Sequence, residues 1–284
     1  MTRLIALIDG SIYSESVCDH TAWVAGRTRA SVEILHVLGG REVSSAPVNL
    51  SGNIGLGART ALLEELAEHD AQTAKLSQKR GRLILDGARA RLLDAGLNEV
   101  SIRLRHGEIV ETIQELEKDA DLIIVGKRGE AADFAKLHLG SNLERIVRSS
   151  HRPVLVAARA FTPVRRFLIA FDGGPSAIKA VDHIAKGTLF SGLECRLLMV
   201  GAATPDARTR LDHAASLLRN AGYTVDAGIE QGQAEDRIAE RVEADAINLV
   251  VMGAYGHSRI RSLIIGSTTT AMIRSCKVPV MLFR

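Results

Sequence analysis

The feature that most constrains this chain is that it repeats itself. RLIALIDGS, from Arg3, returns as RFLIAFDGG, from Arg166. Each is followed by a helix-like stretch with an Asp-His pair, Asp19-His20 and Asp182-His183. A second apolar run comes next, VEILHVLG from Val32 and CRLLMVGA from Cys195. Further on, ARLLDAGLNEVSIRLRHG matches ASLLRNAGYTVDAGIEQG, and DLIIVGKRG matches NLVVMGAYG. Last, HRPVLVAAR from His151 matches KVPVMLFR from Lys277. The matched segments come in the same order, once each, at a long period. That is the mark of a duplicated domain and not of a solenoid. One fold must therefore suit both halves.

Between the copies runs AFTPVRR, residues 160–166, where Pro163 withholds a ladder donor just before a new strand. The spacing predicts domains over 1–160 and 161–284. Short Ile/Leu/Val runs predict strands near 3–8, 32–38, 99–105, 121–126 and 153–158, and again near 166–171, 195–200, 223–229, 247–252 and 279–283. Such runs alternating with helices indicate parallel strands covered on both faces. The expected fold class is α/β: two tandem doubly wound, Rossmann-like domains, each with a five-stranded parallel sheet. The first copy is longer. Its excess holds GGREVSSAPVNLSGNIGLG, read either as a lid over the N-terminal site or as a plain connector. A Pro-free stretch over 59–95 follows, with Leu62, Leu63, Leu66, Leu76, Leu83, Leu92 and Leu93. It predicts one or two long amphipathic helices.

The 284 residues are 46% hydrophobic and 24% charged, which fits a globular protein with a full core. A net charge of +3 and only 4% aromatics argue against a nucleic-acid partner. Lys79, Arg80, Arg82, Arg89 and Arg91 alternate with Leu and Ile and read as a solvated helix face. Cys18, Cys195 and Cys276 are dispersed, without metal-ligand spacing, and fit inert thiols in a reducing compartment. The opening MTRLIALIDGS reads as a first strand, not a signal peptide. No apolar run approaches the ~20 residues that span a bilayer, so the expected location is cytoplasmic, without membrane contact.

The chemistry concentrates in GAYGHSRIRSLIIGST, from Gly253 to Thr268. Gly253 directly follows an apolar strand, at a carboxyl end, where open α/β sheets bind ligands. Gly253 and Gly256 let backbone approach an anion closely. Gly266-Ser267-Thr268 opens a predicted helix, whose free N–H groups and dipole favour negative charge. Ser267 and Thr269 add hydroxyls. The combination suits a phosphate chain, although it is neither a P-loop nor a G-x-G-x-x-G fingerprint. On spacing alone, a tight turn with close-packed glycines is an equal reading.

The whole set resembles the universal stress protein family in tandem form, over nearly the whole chain. The family's nucleotide motif is G-x2-G-x9-G-(S/T), and Gly253, Gly256, Gly266 and Ser267 match it without a gap. The resemblance implies an adenine nucleotide, ATP, ADP or AMP, with Mg²⁺ as companion to ATP. Asp172 and Val200 would hold the adenosine, and Gly253, Gly256, Gly266, Ser267, Thr268 and Thr269 the phosphates. The N-terminal copy keeps Asp9 and Val37. Its Gly126 and Gly129 are followed by ten residues, not nine, before Gly140-Ser141. Glu130 there would repel an adjacent phosphate, an effect Lys127 and Arg128 could offset. Weaker binding, no binding or a different ligand is expected at this second site.

No catalytic residue and no metal site is assigned. His257, Arg259 and Arg261 could reach phosphates or lie solvated in the loop. Adjacent residues do not share a helix face, so neither Asp-His pair makes an acid/base couple. Three functions remain: a nucleotide-binding stress-response regulator, favoured by the intact C-terminal motif; a slow ATPase or self-phosphorylating protein; and a nucleotide-free interaction scaffold with an unknown protein partner. The resemblance also implies pairing of the last strands, Pro153-Val154-Leu155 with Pro279-Val280-Met281, as an intramolecular pseudo-dimer, with a homodimer left open.

Overall fold

A computed structural model describes residues 2–39, 56–127, 141–254 and 267–284, with the side chains of 56–61, 141 and 267 excepted. The first half runs β1 (Arg3–Leu7), α1 (Ser14–Thr28), β2 (Ser31–Leu38), α2 (Leu56–Asp94) and β3 (Val100–His106). It continues with α3 (Ile109–Leu116), β4 (Leu122–Gly126), α4 (Ser141–Ser149) and β5 (Val154–Ala157). The second half repeats this as β6 (Arg166–Ala170), α5 (Pro175–Lys186), β7 (Glu194–Val200), α6 (Pro205–Asn220) and β8 (Thr224–Glu230). It ends with α7 (Ala234–Ala244), β9 (Leu249–Gly253), α8 (Ser267–Ser275) and β10 (Val280–Phe283). All ten predicted strands are present. The leucine-rich stretch is one helix of 39 residues, not two.

The strands form one sheet in the order β3-β2-β1-β4-β5-β10-β9-β6-β7-β8. Each half is a parallel set of five. The halves meet where β5 and β10 pair antiparallel, Val156 against Val280, Leu155 against Met281 and Val154 against Leu282. The expected pairing of the last strands thus fuses two sheets into one and closes two edges that would otherwise be open.

Alternation along each strand supplies two cores. On one face Leu4, Ala6, Phe167 and Ile169 meet α1, α2, α5 and α6 through Val17, Leu85, Leu92, Ala180 and Leu218. On the other, Ile5, Leu7 and Leu168 meet α3, α4, α7 and α8 through Ile113, Ile146, Val242 and Met272. The right-handed crossovers make this division: a helix leaving β1 or β6 goes to the first face, and one leaving β4 or β9 to the second. The first core crosses the junction. Trp23 meets Phe190 edge-to-face, and Arg27 Nε donates to the Leu189 carbonyl.

Two further cross-half bonds act on helix ends. Lys127 Nζ donates to the Cys276 carbonyl at 3.0 Å, just past α8. Arg284 Nη1 donates to the Arg148 carbonyl at 2.9 Å, at the end of α4. Both cations sit at the negative end of a helix from the opposite half, where carbonyls lack intrahelical partners.

Candidate functional site

In each half the chain leaves two adjacent strands toward opposite faces, which opens a crevice at their carboxyl ends. In the second half these strands are β6 and β9, paired through Ala170 and Met252. Asp172 and Gly253 therefore emerge side by side. In the first half β1 and β4 pair through Ala6 and Ile124, so Asp9 and Gly126 emerge likewise.

Both aspartates build the same turn. Asp172 Oδ1 accepts from Gly174 N at 2.8 Å, and Asp9 Oδ1 accepts from Ser11 N at 3.0 Å. The residue between is glycine in each, with φ of +72° at Gly173 and +79° at Gly10, a region that side chains avoid. Asp172 is exposed and Asp9 half-buried. Ser14 accounts for part of that difference: its hydroxyl lies 3.4 Å from Asp9 Oδ1 and accepts from Gly10 N at 3.0 Å. Ala177, a buried residue without a hydroxyl, holds the matching place in the second half.

Val37 and Val200 are half-buried at the ends of β2 and β7, level with Arg105 and Glu230. Each borders the crevice of its own half on the second-core face. Gly253 ends β9 under the first turn of α5. A Cβ there would lie 2.9 Å from Ser176 Cβ and 3.4 Å from Ala177 N, so this glycine has a packing reason of its own. α8 opens at Ser267 and α4 at Ser141, so both hydroxyl residues sit at helix starts. Thr268 is half-buried. Thr269 is buried, and its hydroxyl donates to the carbonyls of Gly253 at 3.2 Å and Ala254 at 3.4 Å. That bond docks the start of α8 onto the end of β9. Gly129, Gly140, Gly256 and Gly266 lie outside the described residues, as do Arg128, Glu130, His257, Arg259, Arg261 and the loop read as lid or connector.

Sequence reasoning missed Arg210. A Cβ on Gly173 would stand 3.0 Å from Arg210 Nη1, so this guanidinium lies over the Asp172-Gly173 turn. It also pairs with Asp206 at 2.6 Å. In the first half Ile84 covers Gly10 in the same way, its Cδ1 2.7 Å from that glycine's Cβ position. The two are equivalent residues. Gly96 N bonds Leu93 O and Gly222 N bonds Arg219 O, which aligns α2 with α6 and sets Ile84 on Arg210. The signal was in the sequence, but only an alignment anchored on the two helix ends brings it out.

The Asp19-His20 pair is structural. Asp19 takes a two-pronged bond from Arg91, at 2.8 and 3.0 Å. His20 is fully buried, bonds the Ser16 carbonyl through Nδ1 at 2.7 Å and stands edge-on to Phe161. Burial lowers its pKa and keeps it neutral. His183 is exposed at the surface, and the partial desolvation of its ring where it packs against Phe283 also lowers its pKa. The three thiols are free and buried, with burial pushing Cys18 to about 11 and Cys195 to about 12. Among the described residues no three His, Cys, Asp or Glu side chains are grouped to hold a metal ion, and no helix is long and apolar enough to cross a membrane.

A family model described as the universal stress protein family matches residues 1–158 and 195–284. The chain belongs to the universal stress protein family. Universal stress protein Slr1230 of Synechocystis sp. is 37% identical over 287 residues, covering 100% of both chains. A universal stress protein of Mycolicibacterium smegmatis is 25% identical over 302 residues, covering 98% of this chain and 95% of that one. The crystal structure of a universal stress protein from Archaeoglobus fulgidus superposes with a TM-score of 0.70 at 20% identity, over 99% of this chain and 96% of the other. That likeness is one of fold, and it extends to the tandem arrangement as a whole.

Proposed function

We propose that the C-terminal half binds an adenine nucleotide and that the chain acts as a stress-response regulator whose occupancy reports nucleotide supply. Asp172 and the end of β7 at Val200 would take the nucleoside. Gly253, Gly256, Gly266, Ser267 and Thr268 would take the phosphates, and Thr269 would hold α8 in position. The observation that carries this reading is the convergence at one crevice of the Asp172 turn, the end of β9 and the opening of α8 at Ser267. A helix start offers unpaired N–H groups to an anion. Arg210, beside the same turn and paired with Asp206, places a guanidinium where the first half has Ile84. Mg²⁺, when ATP is bound, would be held chiefly by phosphate and water, as its small hydrated sphere prefers.

The two halves form two units of unequal competence in this reading, 1–160 the weaker and 161–284 the stronger. The test is calorimetry with Mg·ATP on the full chain. Gly266→Val with Ser267→Ala should weaken binding by about 10- to 100-fold, the cost of one or two charge-assisted donors. Gly140→Val with Ser141→Ala should change it little. A larger loss from the second pair than from the first would reverse the assignment of the site, and a wild-type chain that neither carries nor takes up nucleotide would leave a scaffold as the function.

A further inference from the structure

α2 is far longer than its counterpart. It has 39 residues and α6 has 16, and both end at the same aligned point, so 39 − 16 = 23 extra residues precede the shared part. At 1.5 Å per residue they span ~34 Å. The buried side of α2 begins at Gly81 and continues through Leu85, Ala88 and Leu92. Between Leu62 and Arg80 no residue is buried.

A helix end with so little tertiary support is marginal in water unless its own side chains support it. These do the opposite. Glu64 and Glu68 are four apart, as are Lys75 and Lys79, and like charges at that spacing weaken a lone helix. Glu64, Glu65, Glu68, Lys75, Lys79 and Arg82 are all exposed, and none forms an ion pair among the described residues. The charges are in blocks, acids first and bases last. The apolar positions follow a second rule. Leu62, Leu66, Leu76 and Leu83 fall on alternating spacings of four and three, the pattern of a two-helix seam, with the polar His69, Thr73 and Arg80 at the positions between them. Leu76 is 67% exposed and Leu83 65%.

We propose that this part of α2 is a homodimerisation arm, which pairs antiparallel with the same arm of a second copy of the chain. A twofold axis near Gln72 sets Leu66 against the second copy's Leu76 and Glu65 against its Lys79, and each contact occurs twice. The surface is self-complementary, as a closed dimer requires. A parallel pair would oppose acid block to acid block. A lipid surface is a poorer occupant, since an interfacial helix carries cations along its whole polar face, and half of this one is acidic.

Sedimentation equilibrium on the full chain tests the arm. The wild type should be a dimer, and Leu66→Glu with Leu76→Glu should make it monomeric while leaving the thermal midpoint of the body unchanged. Glu65→Lys and Lys79→Glu should each raise the dissociation constant about tenfold or more, since two attractions become repulsions. The double reversal should restore the dimer, and an equimolar mixture of the two single variants should form a heterodimer. A wild-type monomer at about 100 µM overturns the proposal. So does a dimer indifferent to the leucine and charge changes.

Discussion

Gly253 has a packing reason to be glycine and, under the proposed function, a binding one, and the two separate experimentally. An alanine Cβ would sit 2.9 Å from Ser176 Cβ, closer than real Cβ atoms approach, with Ala177 N at 3.4 Å behind it. The obstacle is the first turn of α5, whose inner side is packed through Ala177, Ala180, Val181 and Ile184, so it cannot swing away freely. Overpacking of this kind costs about 1–3 kcal/mol. Gly253→Ala should therefore lower the urea midpoint of the nucleotide-free chain. Ser176→Gly removes the colliding atom, at a cost of about 0.5–1 kcal/mol for glycine in a helix. If the collision is the cause, the double variant should be little worse than Ser176→Gly alone, with a coupling of about 1–2 kcal/mol in the cycle. The stability rescue should leave Mg·ATP binding still weakened if the nucleotide also needs close backbone approach at 253. Purely additive stabilities would refute the packing argument. Restored affinity in the double variant would show that the first change acted on binding through α5 alone.

Arg210→Ile, which copies the first half, should weaken ATP more than AMP and leave adenosine nearly unchanged in calorimetry; equal losses for all three would remove the charge from the account. The thiols of the folded chain should resist iodoacetamide at pH 8, because burial holds Cys18 near 11 and Cys195 near 12, and all three should label in urea. Glu117 is buried; burial raises its pKa, but bonds from Ser150 and His151 outweigh this and hold it below its ordinary value of 4.5. Its contribution is thus full above pH 4.5 and lost as pH falls through the lower folded value, so Glu117→Gln should flatten the acid limb of stability against pH. His20, also lowered, acts in a higher window: it favours the fold above its ordinary value of 6.5 and withdraws that support as pH falls below it, a slope that His20→Gln should reduce in urea titrations between about pH 5 and 7.

Strand and helix positions were legible because periodicity is local, and the repeat supplied each element twice. The helix start at Ser267 was legible for the same reason, being a property of three or four consecutive residues. What was not legible is long-range. Lys127 looked like a phosphate neighbour from its place beside Gly126, yet it donates to Cys276 O in the other half, a partner 149 residues away. Thr269 looked like a phosphate hydroxyl, yet its proton goes to the end of β9. Gly253 carried no sign that Ser176 lies over it. In each case residue type stated what the group can do, and topology decided for whom.

The two halves share their junction and differ around their crevices. The junction is kept: β5 and β10 pair over three residues, and each half lends a cation to a helix end of the other. Three differences lie at the carboxyl ends of the strands: Ile84 for Arg210, Ser14 for Ala177 and the extension that lengthens α2. A pair of separate identical subunits could not do this, since any change in one site would appear in both and any arm would be doubled at each end. Fusion breaks that symmetry while the shared sheet preserves the fold. One crevice can then carry a guanidinium over its turn while the other covers its turn with hydrocarbon. The same asymmetry leaves a single arm per chain, so that pairing through it closes at two copies and cannot propagate.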